Sequence, residues 1–144
     1  MVYFFTEDIV FPFTLRKVRG QLRTYISNLI RNEGKTLGEI NIIFCSDEYL
    51  LDMNKQYLNH DYYTDVITFD YSEGPVVSGD IFISIDMVRS NAEEYAPSFE
   101  HELYRVIFHG VLHLCGYKDK SEDEERLMRG KENLYLALNN LNEQ

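Results

Sequence analysis

The sequence predicts an α+β domain, a small mixed sheet of about four strands packed by about five helices. Three observations predict it. Strand-period and helix-period segments follow in the order strand, helix, strand, helix, strand, strand, helix, helix, helix, so helices gather toward the C-terminal half. The 144 residues show no internal repeat, low-complexity tract or linker, which predicts one domain over 1–144. A composition of 44% hydrophobic and 26% charged residues supports an ordinary core. No apolar run reaches the length of a membrane span and no signal-peptide pattern opens the chain, so the expectation is a cytoplasmic protein without a membrane role. Two cysteines, Cys45 and Cys115, fit a reducing compartment and give no disulfide framework.

Residues 2 to 6 form a short strand. From Thr14, a candidate N-cap, Leu15, Val18, Leu22, Tyr25, Ile26, Leu29 and Ile30 recur at helical spacing, and Gly34 stands where a C-cap belongs. Arg16, Lys17, Arg19, Arg23 and Arg31 lie between them, with Lys35 beyond and Glu33 the only acid. That face is either solvated or a phosphate-binding face of an otherwise acidic chain. Glu39 to Cys45 turns from alternating to fully apolar, as a central strand does. Ser46-Asp47 caps a helix to about Tyr57, and a polar, aromatic loop follows. Asp65 to Tyr71 is a strand with Ile67, Phe69 and Tyr71 on one face. Ser72 to Ser78 reads as a surface turn, and Asp80 to Ser84 as the next strand.

Asp86 is the expected cap of a helix to Tyr95, where Pro97 and Ser98 end it and start the next. The next helix, Phe99 to Cys115, turns Leu103, Val106, Ile107, Val111 and Leu114 to the core. Glu102, Arg105, His109 and His113 form an adjacent stripe, and His101, off that stripe, reads as a surface residue. Ser121 and Glu124 make a capping box for a last helix to about Leu141, carrying Leu127, Met128, Leu134, Leu138 and Leu141. The acids Glu122 to Glu125 suit its positive N-terminus and read as structural.

Chemistry concentrates in His109-Gly110-Val111-Leu112-His113, followed by Gly116 and Asp119. Two histidines four apart share a helix face and can offer nitrogens to one ion. Gly116 can end that helix, and Asp119 can add an oxygen. Two nitrogens, one oxygen and a position left for water are how a catalytic zinc is held. The spacing is that of the metzincin metalloproteases, but the position of their glutamate base is Gly110, which argues against peptidase chemistry. Cys115, two residues past His113, points away from the pair and reads as core packing.

The motif resembles that of the YbeY family of metal-dependent endoribonucleases, linked to rRNA maturation and ribosome quality control. Asn54-x-x-Tyr57, then Thr64-Asp65-Val66-Ile67-Thr68-Phe69, then Gly79-Asp80-Ile81-x-Ile83 resemble that family's other segments, in order. Two positions depart from it. Asp119 stands for the usual third histidine, with Lys118 in place of the usual aspartate, and Leu58 replaces the usual arginine after the tyrosine. The resemblance implies the same α+β architecture with a metzincin-like site. It also implies a zinc-dependent single-strand endoribonuclease acting in rRNA maturation and ribosome quality control, with one zinc per chain on His109, His113 and Asp119. The alternative is a non-catalytic metal-binding assembly factor, which Leu58 brings forward.

A net charge of −10 argues against loose affinity for nucleic acid, because phosphate contacts need lysine and arginine. The segment 16–35 or recruitment by ribosomal or other basic proteins would reconcile that charge with an RNA substrate. The nucleophile stays open between metal-bound water and the RNA 2′-hydroxyl. No catalytic base is assigned, His60 and Asp65 being candidates whose loop and strand-edge roles compete.

Overall fold

A computed structural model of the chain describes residues 1–11 and 15–141, without the side chains of 15–17; the expected cap at Thr14 lies outside the described residues. The elements are β1 (Val2–Thr6), α1 (Leu15–Asn32), β2 (Thr36–Cys45), α2 (Asp47–Leu58), β3 (Val66–Asp70), β4 (Val76–Ser84), α3 (Ile85–Tyr95), α4 (Phe99–Leu114) and α5 (Glu122–Leu138). The strands form one sheet in the order β1-β2-β4-β3. β1, β2 and β4 run parallel, and β3 pairs antiparallel with β4. The α+β expectation is met, with a four-stranded mixed sheet.

β2 is internal, as its apolar second half predicts, and Ile40, Ile42, Phe44 and Cys45 are fully buried. Parallel neighbours need long crossovers. α1 supplies one between β1 and β2; α2 with β3 fills the other between β2 and β4. The apolar stripe of α1 buries Leu22, Ile26, Leu29 and Ile30, while that of α4 buries Leu103, Val106, Ile107, Val111 and Leu114. Two glycines bring α4 close to the sheet. A Cβ on Gly110 would stand 2.8 Å from Ile81 Cγ2, and one on Gly79 would stand 2.7 Å from Leu114 Cδ2 and 2.4 Å from the Phe69 carbonyl. The peptidase glutamate is therefore absent from a position where this packing leaves no room for a side chain.

Several boundaries differ from expectation. β4 begins at Val76, inside the stretch read as a surface turn, because Val76 and Val77 pair in parallel with Thr36 and Leu37 of β2. Only Gly74, at φ 56°, and its neighbours make the turn. Tyr71 falls outside β3 and is exposed. The cap of α3 is Ser84, whose Oγ accepts the Met87 N–H at 3.1 Å; Asp86 instead accepts the Asp47 N–H at 3.0 Å. Ser84 Oγ also donates to Asp47 Oδ1 at 2.6 Å, so the starts of α2 and α3 are tied together. His101 is buried rather than at the surface, and its Nδ1 lacks a partner among the described residues.

In α5 the capping box at Ser121 and Glu124 forms as expected. Its buried stripe, however, is Met128, Glu132, Tyr135 and Leu136, while Leu127, Leu134 and Leu138 are exposed. A glutamate on the inner face rotates the helix from where leucines alone would set it. Glu33, the lone acid of the basic segment, is half-buried, with its side chain largely covered. Its carboxylate accepts from the hydroxyl of Tyr117 at 2.5 Å and from that of Tyr135, and pairs with Lys131 at 3.2 Å. It thus ties the end of α1 to the loop after α4 and to α5.

Burial works against the Glu33 charge, but the two tyrosines and Lys131 outweigh it and hold the carboxyl below its ordinary 4.5. A depressed carboxylate adds stability above its unfolded pKa and loses it as pH falls through the folded one. Glu33→Gln should therefore be less stable than wild type at neutral pH, by roughly 2 kcal/mol. The gap should narrow below pH 4.5, and thermal melts across that range measure it.

Candidate metal centre

α4 delivers the two imidazoles. One turn apart, His109 and His113 bring their Nε2 atoms to 3.0 Å of each other. Asp119 Oδ2 closes the triangle at 3.1 Å from His109 Nε2 and 3.3 Å from His113 Nε2. Ligand atoms on a tetrahedral ion with bonds of about 2.0 Å stand roughly 3.3 Å apart, close to these edges.

The other ring nitrogens fix what these atoms can do. His109 Nδ1 lies 2.7 Å from Glu132 Oε2, and His113 Nδ1 lies 2.9 Å from the Tyr117 carbonyl. A carboxylate and a carbonyl can only accept, so each Nδ1 carries the hydrogen, and a ring in its neutral form turns a bare Nε2 lone pair inward. Two lone pairs and a carboxylate oxygen facing one point repel unless a cation or proton lies between them. The donor set fits a metal ion. Among the described residues, His109, His113 and Asp119 form the one cluster of three or more such donors within 4.8 Å.

The end of α4 positions the second ring. Gly116, at φ 107°, donates its N–H to His113 O, and Tyr117 donates to Leu112 O. That is a Schellman ending, which needs a left-handed residue after the cap. It carries the Tyr117 carbonyl back to His113 and sends the chain on toward Asp119.

Glu132 was missed by the sequence reading. It is buried, accepts Arg105 Nη1 at 2.9 Å through Oε1, and holds His109 through Oε2. Burial opposes its charge, yet His109 and Arg105 keep its carboxyl below the ordinary value. Burial also disfavours a charged His109, but Glu132, with Asp119 and Asp65, outweighs it and raises that ring. The available signal was an acid at i+4 from Met128 and i−3 from Tyr135, inside an apolar stripe. Partners of metal-binding imidazoles commonly govern affinity. Glu132→Gln should lower metal affinity by about ten- to a hundredfold, read by competition with a chromophoric chelator.

Two clefts meet at the donors. One of 330 Å³ is lined by His109, His113 and Asp119 together with Leu58, His60, Tyr62 and Asp65. The other, of 630 Å³, runs between α4 and α5 past Asp65, His109, Asp119 and Glu132, with Arg105, Arg126 and Arg129 on its walls. His60 and Asp65 are thus both brought to the site, and burial raises the Asp65 carboxyl against the opposing pull of His109. Leu58 stands in the cleft wall, 40% exposed. Of the basic segment, Arg23 is engaged elsewhere, donating to the Val2 carbonyl at 2.9 Å and covering the Phe4 ring. With Arg31 it lines a separate groove that shares no residue with either cleft; the side chains of Arg16 and Lys17 lie outside the described residues. Among the described residues, the cations lining these clefts are Arg105 of α4 and Arg126 and Arg129 of α5. Cys115 is buried in the core as expected, its thiol pushed up to about 11 by burial.

Fold and donors together define a class, an α+β protein with a three-donor candidate metal centre open to two clefts. The profile of the family described as Endoribonuclease YbeY matches residues 6–140, and the chain belongs to that family. A relative from Phocaeicola vulgatus, named Endoribonuclease YbeY, is 49% identical over 138 residues, 96% of this chain and 98% of that protein. Another of that name, from Flavobacterium psychrophilum, is 59% identical over 114 residues, 79% of this chain and 81% of its own. The solution structure of TM1509 from Thermotoga maritima superposes with a TM-score of 0.64 at 27% identity, covering 96% of this chain and 91% of that one. Among the described residues, no helix is long and apolar enough to cross a membrane.

Proposed function

We propose that this chain, as one domain over 1–144, is a zinc-dependent single-strand endoribonuclease of the cytoplasm. Its substrate is ribosomal RNA, in maturation and ribosome quality control. Membership of the family and the relatives' shared name support RNA cleavage. The observation that carries the metal is the convergence of two bare Nε2 atoms on Asp119 Oδ2, with both Nδ1 atoms held by obligate acceptors.

One zinc per chain would be held by His109, His113 and Asp119. When bound it supplies a Lewis acid for a phosphoryl oxygen and an acidified water. The protein's own part is orientation and charge. Glu132 and the Tyr117 carbonyl keep the imidazoles in one tautomer. Arg129, 62% exposed at the side chain and on the wall of the larger cleft, can meet a phosphate. Asp65, raised by burial and lining both clefts, is the better placed of the two candidate bases. Ribosomal or other basic proteins would recruit a chain of net charge −10 to its substrate.

The test is metal analysis of the purified protein, then cleavage of a structured RNA and a peptide with and without chelator. Chelator-sensitive RNA cleavage with about one zinc per chain supports the reading. A second reading, the non-catalytic metal-binding assembly factor, is favoured by Leu58 in the cleft wall. Bound zinc without RNA cleavage would select it.

A further inference from the structure

We propose that the loop between α2 and β3 is a nucleobase platform. A base of single-stranded RNA stacks on Tyr62, backed by His60, and its sugar–phosphate enters the cleft of His109, His113 and Asp119. This rests on the RNA reading above and names how that site takes its substrate.

The two rings are already stacked, with centroids 5.1 Å apart and planes 21° from parallel. The Tyr62 hydroxyl lies 2.9 Å from His60 Nδ1. Both residues remain exposed, Tyr62 at 56%, although a stacked aromatic pair would ordinarily be drawn inside. Both also line the 330 Å³ cleft that the three donors line. A base on the platform is therefore next to the candidate metal centre and not on a remote face.

The loop is held in place. Asn54, buried in α2, donates its side-chain N–H to the Tyr62 carbonyl at 2.9 Å, and its own carbonyl accepts the His60 N–H at 3.0 Å. Asn59 between them adopts the left-handed conformation, φ 56°, that lets the chain turn off the helix. One buried asparagine thus grips the loop at both aromatic residues, so little ordering is left for binding to complete. The asparagine of the Asn54-x-x-Tyr57 motif gains a physical role.

Charge selects the occupant. Among the described residues, the cleft lining contains no lysine or arginine. With no basic side chain there, an acidic chain cannot grip this end of its ligand by pairing side chains with phosphates, whereas stacking uses the face of the base and needs no charge. Stacking also requires an unpaired base, which a duplex does not offer. The ligand that fits is single-stranded RNA.

The experiment uses a fluorescein-labelled, 2′-O-methylated, adenine-rich RNA oligonucleotide, which cannot be cut through its 2′-oxygen. Anisotropy titrations of the full chain are run with zinc and repeated with chelator. Tyr62→Ala should weaken binding on the order of tenfold or more, while Tyr62→Phe, which keeps the ring, stays near wild type. The slope of affinity against salt should not change, since no phosphate contact is lost. An abasic residue scanned along the oligonucleotide should cost wild type a similar factor at one position and cost Tyr62→Ala nothing there. Zinc content and melting temperature of Tyr62→Ala should match wild type, which separates the platform from folding. Equal binding by wild type and Tyr62→Ala overturns the proposal. So does the absence of single-strand binding by wild type, which would make the aromatic loop a protein-docking surface. Failure of the nuclease reading shows separately, as an unmethylated RNA of the same sequence that is bound in a Tyr62-dependent way and left uncut.

Discussion

Replacing His109 and His113 together by alanine should abolish zinc binding and RNA cleavage while leaving a folded protein of lower stability. Each ring gives up a donor whose tautomer is set by Glu132 or by the Tyr117 carbonyl, and Asp119 alone cannot hold an ion against water. A ligand that binds only the folded state at a thousandfold above its dissociation constant stabilises by about 4 kcal/mol. In a chain of this size that is roughly 10 °C in melting temperature. The control is chelator. Wild type in chelator should lose most of this increment, and the variant should lose almost nothing further. Elemental analysis showing full metal content in the double variant would sink the site.

Leu58→Arg should raise the rate of RNA cleavage by about a hundredfold. Cleavage builds negative charge on the phosphoryl oxygens, and a guanidinium can meet it with paired hydrogen bonds where leucine cannot. Leu58 lines the same cleft as His109, His113 and Asp119 and is 40% exposed, so a longer side chain has room. Arg129, on the other cleft, should carry part of this role in wild type. Leu58→Arg with Arg129→Ala therefore separates the two positions. A rate unchanged by Leu58→Arg, on an RNA whose cleavage His113→Ala abolishes, would show that phosphate charge is met from elsewhere.

Most of the architecture was legible where one short stretch both signals and builds an element. Ser46, Ser98 and Ser121 announce helix starts, and each side chain accepts the backbone N–H three residues on. His109, His113, Gly116 and Asp119 are close in sequence, and the helical turn alone nearly fixes their geometry. What escaped depends on distant partners. Val76 joins β4 only because Thr36, forty residues earlier, pairs with it. Glu132 is buried because His109 and Arg105 await it on another helix; by composition alone an acid belongs outside. His101, one position before the stripe of Glu102 and Arg105, is covered by packing around α4 that its own periodicity does not report. Arg23, read as part of a face either solvated or phosphate-binding, is a clasp between α1 and β1.

Tyr117 makes the metal site and the placement of α1 parts of one equilibrium. Its carbonyl sets the ring of His113, and its hydroxyl reaches Glu33 at the end of α1. Coupling between two such ends is reciprocal by thermodynamic necessity: whatever a metal ion at the candidate site would gain from an ordered Tyr117, the docking of α1 would gain from that ion. The same Glu33→Gln variant therefore reports at both ends, in its melting temperature and in a weaker affinity for zinc. A ligand seated on α1 would then be an effector of a centre it never touches.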